Sequence, residues 1–278
     1  MRYVRLGKSN LDVSRLGLDC SSLGVPQRDR GWDPLSYDGE VFATRTVHAA
    51  LDAGINFFDT SPDAGGGRGE ALLGKALQGR SESIVLASRV YTFDNPVRVE
   101  QRIEASLRRL RTEHLDILYL SDQPENGRSF KELLASGQLE PVVRLRERGI
   151  IGHFGLLVSD PAQAPTILDS GLFDVAQMQY NVTEPGDAQA ALDSCSRSNL
   201  GISVVKPLAT RTLQTIVDAL DPDWNGAPAA RECCLRFLLG DRRVHSINVG
   251  MRWEHEVITH SRLVAGIDPL PAANPQVA

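Results

Sequence analysis

Residues 55–67 read INFFDTSPDAGGG, which sets a carboxylate, Asp59, at the end of an apolar run and follows it with a second acid, Asp63, and three glycines. A carboxylate in such a place must be partnered, because losing its hydration without compensation is costly. The next apolar run, SIVLASRVY (83–91), carries Arg89 near its end. A guanidinium can hold charge or a substrate oxygen, but it keeps its proton near neutrality and cannot serve as a base. Two readings of an Asp59–Arg89 pair follow: a structural ion pair closing the top of a fold, or a site carboxylate held in place by a cation. Cys20 has no histidine at the end of a neighbouring run to activate it and reads as a small packing residue. His153 falls mid-run, as a core or interlayer histidine does. Lys206, directly before Pro207, suits a Schiff base or a phosphate contact, or else packs its stem with its head at a rim. The glycines at 65–67 suit an anion cradle at the start of the following helix, or a permissive turn.

These side chains need elements to hold them. After a short hairpin-like start, apolar runs of strand length alternate with longer segments of helical period. The runs are VSRLGLDC (13–20), INFFDTS (55–61), SIVLASRVY (83–91), LDILYLS (115–121), IGHFGLLV (151–158), FDVAQMQYN (173–181), GISVVKP (201–207) and HSINVGM (245–251). Strands apolar on both faces imply a parallel sheet covered by helices, and eight such units predict a single (β/α)8 TIM barrel with an N-terminal β-hairpin. One domain is expected over residues 1–278, with the Pro- and Ala-rich 266–278 as a mobile end. A doubly wound dinucleotide fold is disfavoured, because GGGRGE at 65–70 lacks the Gly-x-Gly-x-x-Gly spacing and does not follow the first strand.

A barrel puts its chemistry at the C-terminal ends of its strands. Read in order, those ends carry Asp19, Cys20 and Ser21; Asp59 and Asp63; Arg89 and Tyr91; Ser121 and Asp122; Ser159; Gln177 and Tyr180; Lys206; and Arg252. The expected mouth is acidic, with a few fixed cations. The loop 24–42, with Trp32 and Tyr37, is placed either to cover a pocket or to lie on the surface anchored by one aromatic.

Composition narrows the partners. With 42% hydrophobic and 23% charged residues the chain is of ordinary globular type, and its net charge of −5 offers no footprint for nucleic acid or an anionic membrane. No apolar run is long enough to span a bilayer, and the opening MRYVRLGKSNLDVS lacks the apolar core of a secretory leader, so a cytoplasmic setting is expected. Four cysteines without Cys-x-x-Cys spacing indicate neither a disulfide framework nor a zinc site; no metal is expected, and Cys233 and Cys234 read as buried helix residues. A small molecule is the expected partner.

The motifs YVRLGKSNLDVSRLGLD, ALDAGINFFDTSP with GRGEALLGKAL, EASLRRLRTEHLDILYL, FDVAQMQYN, VVKPLA and SINVGMRWEHEV together resemble the aldo-keto reductase superfamily along nearly the whole chain. That resemblance implies a barrel that binds NADP(H) in an extended pose and reduces carbonyls by direct hydride transfer, with a tetrad of Asp, Tyr, Lys and His. Carried over by position, only Asp59 is retained. Ala64 stands at the proton-donating Tyr, Arg89 at the Lys and Ser121 at the His. Gln177, Lys206, Arg252 and Ser159 are the expected contacts of an NADP(H) cofactor, while Val205 and His260 stand where the family uses a stacking aromatic and an Asn. The departures from that pattern, which keep polar groups at the strand ends, point to a refitted site acting on a small polar, carbonyl- or sugar-like substrate by elimination, isomerisation or hydrolysis. The alternatives are a carbonyl reductase whose proton comes from Tyr91, Tyr37 or Asp63, and a non-catalytic relative that binds a ligand or partner.

Overall fold

The computed structural model describes residues 1–80, 83–90, 95–121, 132, 136–137, 139–161, 164–183, 186, 188–208 and 227–267. Strands β1 (Tyr3–Arg5) and β2 (Asp12–Ser14) pair antiparallel, with Val4 opposite Val13. Eight parallel strands then close a barrel: β3 (Leu16–Asp19), β4 (Phe57–Asp59), β5 (Val85–Val90), β6 (Leu115–Ser121), β7 (Ile151–Val158), β8 (Val175–Gln179), β9 (Gly201–Val205) and β10 (Ser246–Val249). Each pairs with its successor in the chain, and β10 returns to β3. The run 13–20 is therefore two strands. The break comes at Arg15, whose N–H bonds to the Arg2 carbonyl while its guanidinium bonds to the carbonyls of Val244 and Leu239, turning the chain from hairpin into barrel.

Alternation along the strands sorts the core into two parts. Leu16, Leu18, Phe58, Leu86, Leu118 and Phe154 face outward into the main cluster shared with the helices. Phe57, Val85, Ala87, Ile117 and Val175 face inward and meet Leu6 and Val13 of the hairpin, which plugs the lower end. Leu6 fits because Gly201 has no side chain; a Cβ there would lie 2.4 Å from Leu6 Cγ. Higher in the barrel the inward positions become polar: Asp59, Tyr119, Gln177, Ser203 and Asn248 are all buried.

The helices are α1 (Ser21–Gly24), α2 (Tyr37–Asp52), α3 (Arg68–Ala76), α4 (Pro96–Leu110), α5 (Glu140–Glu147), α6 (Ala164–Leu168), α7 (Gln189–Arg197), α8 (Ala227–Gly240) and α9 (Glu254–Gly266). Ser36 caps α2 by accepting from the Gly39 N–H at 2.9 Å, and Asn95 caps α4 by accepting from Val97 at 2.9 Å. Within α8, Cys234 is buried on the core-facing side with Leu235 and Leu238, but Cys233 is exposed. Gly266 ends α9 exposed, and Ile267 is buried with its N–H bonded to the Val264 carbonyl; 268–278 lie outside the described residues. In the loop after β3, Trp32 is sealed against Trp253, with centroids 5.6 Å apart edge to face, and donates Nε1–H to the Leu23 carbonyl at 3.2 Å. Tyr37 opens α2 at 80% exposure and covers nothing. One aromatic therefore anchors this loop.

Large inward side chains are admitted by glycines opposite them. The Tyr119 ring lies over Gly155, where a Cβ would come within 2.3 Å of it, and Asn248 Oδ1 lies over Gly17, where a Cβ would come within 2.1 Å. Gly155→Ala should therefore overpack the barrel and lower stability by about 1–3 kcal/mol in urea unfolding. A midpoint equal to wild type would mean that the ring does not lie over Gly155.

Candidate active site

Asp59 ends β4 with its side chain 0% exposed. Its Oδ2 accepts from Arg89 Nη2 at 2.5 Å and from Gln177 Nε2 at 3.0 Å. Arg89, on the neighbouring strand β5, also donates Nε–H to the Thr60 carbonyl at 3.1 Å, which fixes the plane of its guanidinium. Gln177 Nε2 reaches Ser203 Oγ at 3.3 Å, and Ser203 Oγ lies 3.0 Å from the Tyr119 hydroxyl. A hydrogen-bonded chain thus crosses the barrel from β5 through β4, β8 and β9 to β6. Burial pushes the Asp59 carboxyl upward, Arg89 opposes that shift, and the nearby Asp19 carboxylate adds to it. Burial, followed by the charge of Asp59, raises the Tyr119 hydroxyl. Burial raises the Cys20 thiol well above its ordinary value, which leaves it a packing residue.

Several buried polar atoms around this chain lack a partner among the described residues: Asp59 Oδ1, Thr60 Oγ1, Gln177 Oε1 and both amide atoms of Asn248. Such atoms are uncommon in folded proteins and mark places where a ligand's polar groups find bonding capacity.

Beside the chain, Arg89 (10% exposed) and the exposed Asp63 line one cavity of about 330 Å³, with Pro62 and Gly66 on the same wall as Asp63. The structure therefore brings Arg89 and Asp63 to one space and sets Asp59 behind Arg89. Asp19 and Ser121 do not line that cavity. Asp19 is half-buried and accepts from the Ser21 N–H at 3.0 Å; Ser121 is buried at the end of β6, in register with Leu157. Tyr91 and Asp122 lie outside the described residues. Gln177 is spent on Asp59 through Nε2 only. Ser159 is exposed just past β7, and Lys206 is exposed just past β9 with φ of 52°, a left-handed conformation rare for a non-glycine residue. Arg252 precedes α9; its N–H is bonded to Glu256 Oε2 at 2.8 Å and its Nε is buried without a partner among the described residues. His260 is buried in α9 with Nδ1 on the Glu256 carbonyl at 2.7 Å, and burial lowers its pKa so that it stays neutral. His153 is half-buried with Nδ1 3.1 Å from Asp174. The glycines at 65, 66 and 67 all have positive φ, so the turn itself requires them.

Sequence reasoning missed two features. Tyr119, Ser203 and Asn248 belong to the central chain or border it, and strict alternation two residues below Ser121 would have turned Tyr119 inward. It also missed Glu70, fully buried on α3, which accepts from Ser88 Oγ at 2.7 Å and from Arg109 Nε at 2.7 Å. An acid in the first turn of a helix carries no signal that distinguishes this burial from a solvated cap.

A closed eight-stranded parallel barrel with a carboxylate–guanidinium pair at its strand ends defines an α/β barrel with polar groups at its mouth. A sequence profile described as the aldo/keto reductase family matches residues 23–256. The chain belongs to the aldo/keto reductase family. It is 27% identical over 167 residues to the uncharacterized oxidoreductase YqkF of Bacillus subtilis, a match covering 56% of this chain and 48% of that protein. It is 28% identical to the aldo-keto reductase YhdN of the same organism, covering 51% and 46%. The matches thus span about half the length of these two relatives. Against L-galactose dehydrogenase of Arabidopsis thaliana it is 27% identical, covering 95% of this chain and 88% of the other. The holo form of aldo-keto reductase AKR11C1 from Bacillus halodurans superposes with a TM-score of 0.76 at 23% identity, covering 98% and 93%, which shows the shared fold. Among the described residues no helix is long and apolar enough to cross a membrane, and no cluster of metal-ligating side chains is present.

Arg89→Met should strand the buried Asp59 charge and cost about 3–5 kcal/mol, with Asp59→Asn in the same background recovering much of the loss in urea titrations. Without the guanidinium the folded-state carboxyl titrates further above its unfolded value of about 3.9. The folded state then binds the extra proton, and stability falls as pH rises from the unfolded value through the raised one. The deficit of Arg89→Met should therefore be largest at neutral pH and shrink on acidification. A deficit that grows on acidification would show that the pair is not the source.

Proposed function

We propose that this chain is an aldo/keto-reductase-family enzyme with a refitted site, acting on a small polar, carbonyl- or sugar-like substrate by a non-redox step such as elimination, isomerisation or hydrolysis. The observation that carries this reading is the 2.5 Å Arg89–Asp59 bond at the position of the family's Lys and Asp, in a chain with Ala64 at the Tyr position. Arg89 is pinned by Asp59 on one side and the Thr60 carbonyl on another, so its charge is already oriented before substrate arrives. A preorganised cation of this kind stabilises negative charge developing on a substrate oxygen, as enolisation or elimination requires. Asp63, facing the same cavity, is the group positioned to take or return a proton. Asp59 tunes and holds Arg89, and Asp19 and Ser121 complete the polar strand ends.

The cofactor residues fit NADP(H) in part. Gln177 Oε1, buried without a partner among the described residues, offers an acceptor to a carboxamide, and Arg252, with Lys206 and Ser159, supplies donors for phosphate and amide groups. NADP(H), when bound, supplies a hydride. The unpartnered Gln177 Oε1 and Arg252 Nε favour a second reading, a carbonyl oxidoreductase in which Asp63 stands in for the missing Tyr; the alternative donor Tyr37 points to solvent on α2.

Turnover of hydroxy acids, keto acids and sugars, followed by NMR without added nucleotide, should detect a converted substrate. Arg89→Gln should then lose on the order of 10²–10³-fold in kcat. Activity that consumes NADPH stoichiometrically, or that survives alanine at both Asp59 and Arg89, would overturn the non-redox reading. The triple variant Ala64→Tyr, Arg89→Lys, Ser121→His should acquire NADPH-dependent reduction of a simple aromatic aldehyde that wild type lacks. A wild type equally active in that assay would favour the oxidoreductase reading.

A further inference from the structure

We propose that Asn248 and one internal water complete the buried layer around Asp59, the water joining Asp59 Oδ1, Gln177 Oε1 and the Asn248 amide. Strand register puts these side chains at one level of the barrel. Asp59 pairs through Ala87 with Ile117, two residues before Tyr119. Tyr119 pairs through Gly155 with Val175, two before Gln177. Gln177 pairs through Ser203 with Ser246, two before Asn248. Asn248 pairs with Gly17, two before Asp19, and Asp19 pairs with Asp59. The register thus advances by two residues over every second strand, so Asp59, Tyr119, Gln177 and Asn248 form one layer of four.

The layer beneath comes from the other four strands and consists of Gly17, Ala87, Gly155 and Ser203. Barrel layers are usually filled by bulky branched side chains, so a layer this small leaves room near the axis. The Tyr119 ring takes the space over Gly155. Asn248 takes that over Gly17, where a Cβ would lie 2.1 Å from its Oδ1 and 3.2 Å from the Phe57 carbonyl oxygen, so its amide leans across β3 toward the strand of Asp59.

The bonds this layer lacks complement one another. Gln177 gives Nε2 to Asp59 Oδ2 and Ser203 Oγ, which fixes its Oε1 as an acceptor. Among the described residues, Gln177 Oε1, Asp59 Oδ1 and both amide atoms of Asn248 have no partner, and all three residues are at most 1% exposed. Two buried acceptors cannot bond to each other and need a donor between them. A water donates one O–H to each and accepts from Asn248 Nδ2, which gives it about three partners, as buried waters have. A monovalent cation would meet the same oxygens, but it would set a second positive charge beside a carboxylate already paired with Arg89 and leave the Asn248 donor unbonded. Asp59 is faced by Arg89, Asp19, Cys20 and Tyr119; burial pushes its carboxyl upward, and a water donating to Oδ1 offsets that push. Asn248 is thereby a positioning residue, holding Asp59 through the water and Arg89 through Asp59. The inference holds whichever reaction the mouth carries out. It requires only that the water leave before Gln177 Oε1 can meet a carboxamide, as the second reading above demands.

A high-resolution crystal structure of the full-length protein, from crystals grown in rubidium chloride, reads the site directly. One density peak at hydrogen-bonding distance from Asp59 Oδ1, Gln177 Oε1 and Asn248 is expected, without anomalous signal from rubidium. A rubidium peak there, or no peak, would overturn the water. In solution, carbon NMR of the aspartate carboxyls follows the titration of Asp59, with Asp59→Asn identifying its signal. Asn248→Leu, similar in size but without polar atoms, should expel the water and lower the acid dissociation constant of Asp59 about tenfold. Asn248→Ser, which keeps a hydroxyl for the water, should move it less. An Asp59 titration unchanged in Asn248→Leu, with circular dichroism confirming a folded protein, would overturn the role of Asn248. Should that variant not fold, the wild-type density decides alone. Failure here leaves the Arg89–Asp59 chemistry standing, because the bond between those two residues is direct.

Discussion

A charge held out of water governs the upper half of this barrel. Asp59 has no solvent contact, and a carboxylate so placed persists only where cations and donors replace its hydration. Arg89 and Gln177 do so through one oxygen, and everything around them follows from keeping those two side chains in place. Gln177 reaches Asp59 across the barrel and is steadied by Ser203, which in turn meets Tyr119. Tyr119 can lie there because β7 offers Gly155 instead of a side chain. A barrel interior of this size is filled by layers of side chains, and here the top layers are buried and polar.

The same constraint shapes the candidate chemistry. By the resemblance read from the sequence, Ala64 stands at the family's proton-donating Tyr and Arg89 at its Lys, and a guanidinium keeps its proton near neutrality. What remains is an oriented cation with an acid, Asp63, facing it across a cavity. Such a pair suits reactions in which negative charge builds on oxygen while a proton moves on carbon, and barrels change reaction by exchanging strand-end residues without altering their scaffold. The second buried carboxylate, Glu70, repeats the device one layer outward: it fixes Arg109 as Asp59 fixes Arg89.

Family membership and local chemistry answer different questions. The profile match over residues 23–256 and the fold likeness place the chain among the aldo/keto reductases. Which reaction it carries out rests on its strand-end residues, and by the resemblance read from the sequence three of the four tetrad positions differ from the family pattern. Among the described residues, Gln177 Oε1 and Arg252 Nε keep unspent bonding capacity.

The alternation of two-faced apolar runs with helical segments was enough to specify the barrel, because buried parallel strands and amphipathic helices leave separate periodic signatures that short-range sequence records. The strand-end rule then nominated Asp59, Arg89 and Asp63 before any coordinates, since each closes or follows an apolar run. The split of the first run at Arg15 was not legible, because its cause is a pair of carbonyls more than two hundred residues away. The chain from Tyr119 through Ser203 to Gln177 depends on barrel closure, which brings β6 within reach of β9 across the interior. Glu70 and Arg109 could be placed on helices from sequence, but their pairing requires α3 and α4 to pack side by side. Sequence by itself determined which residue types stand at the barrel mouth, since order along the chain assigns each strand its end. Only the tertiary structure decided which of them share a space, because distance across a closed barrel is set by strand register and packing and not by separation along the chain.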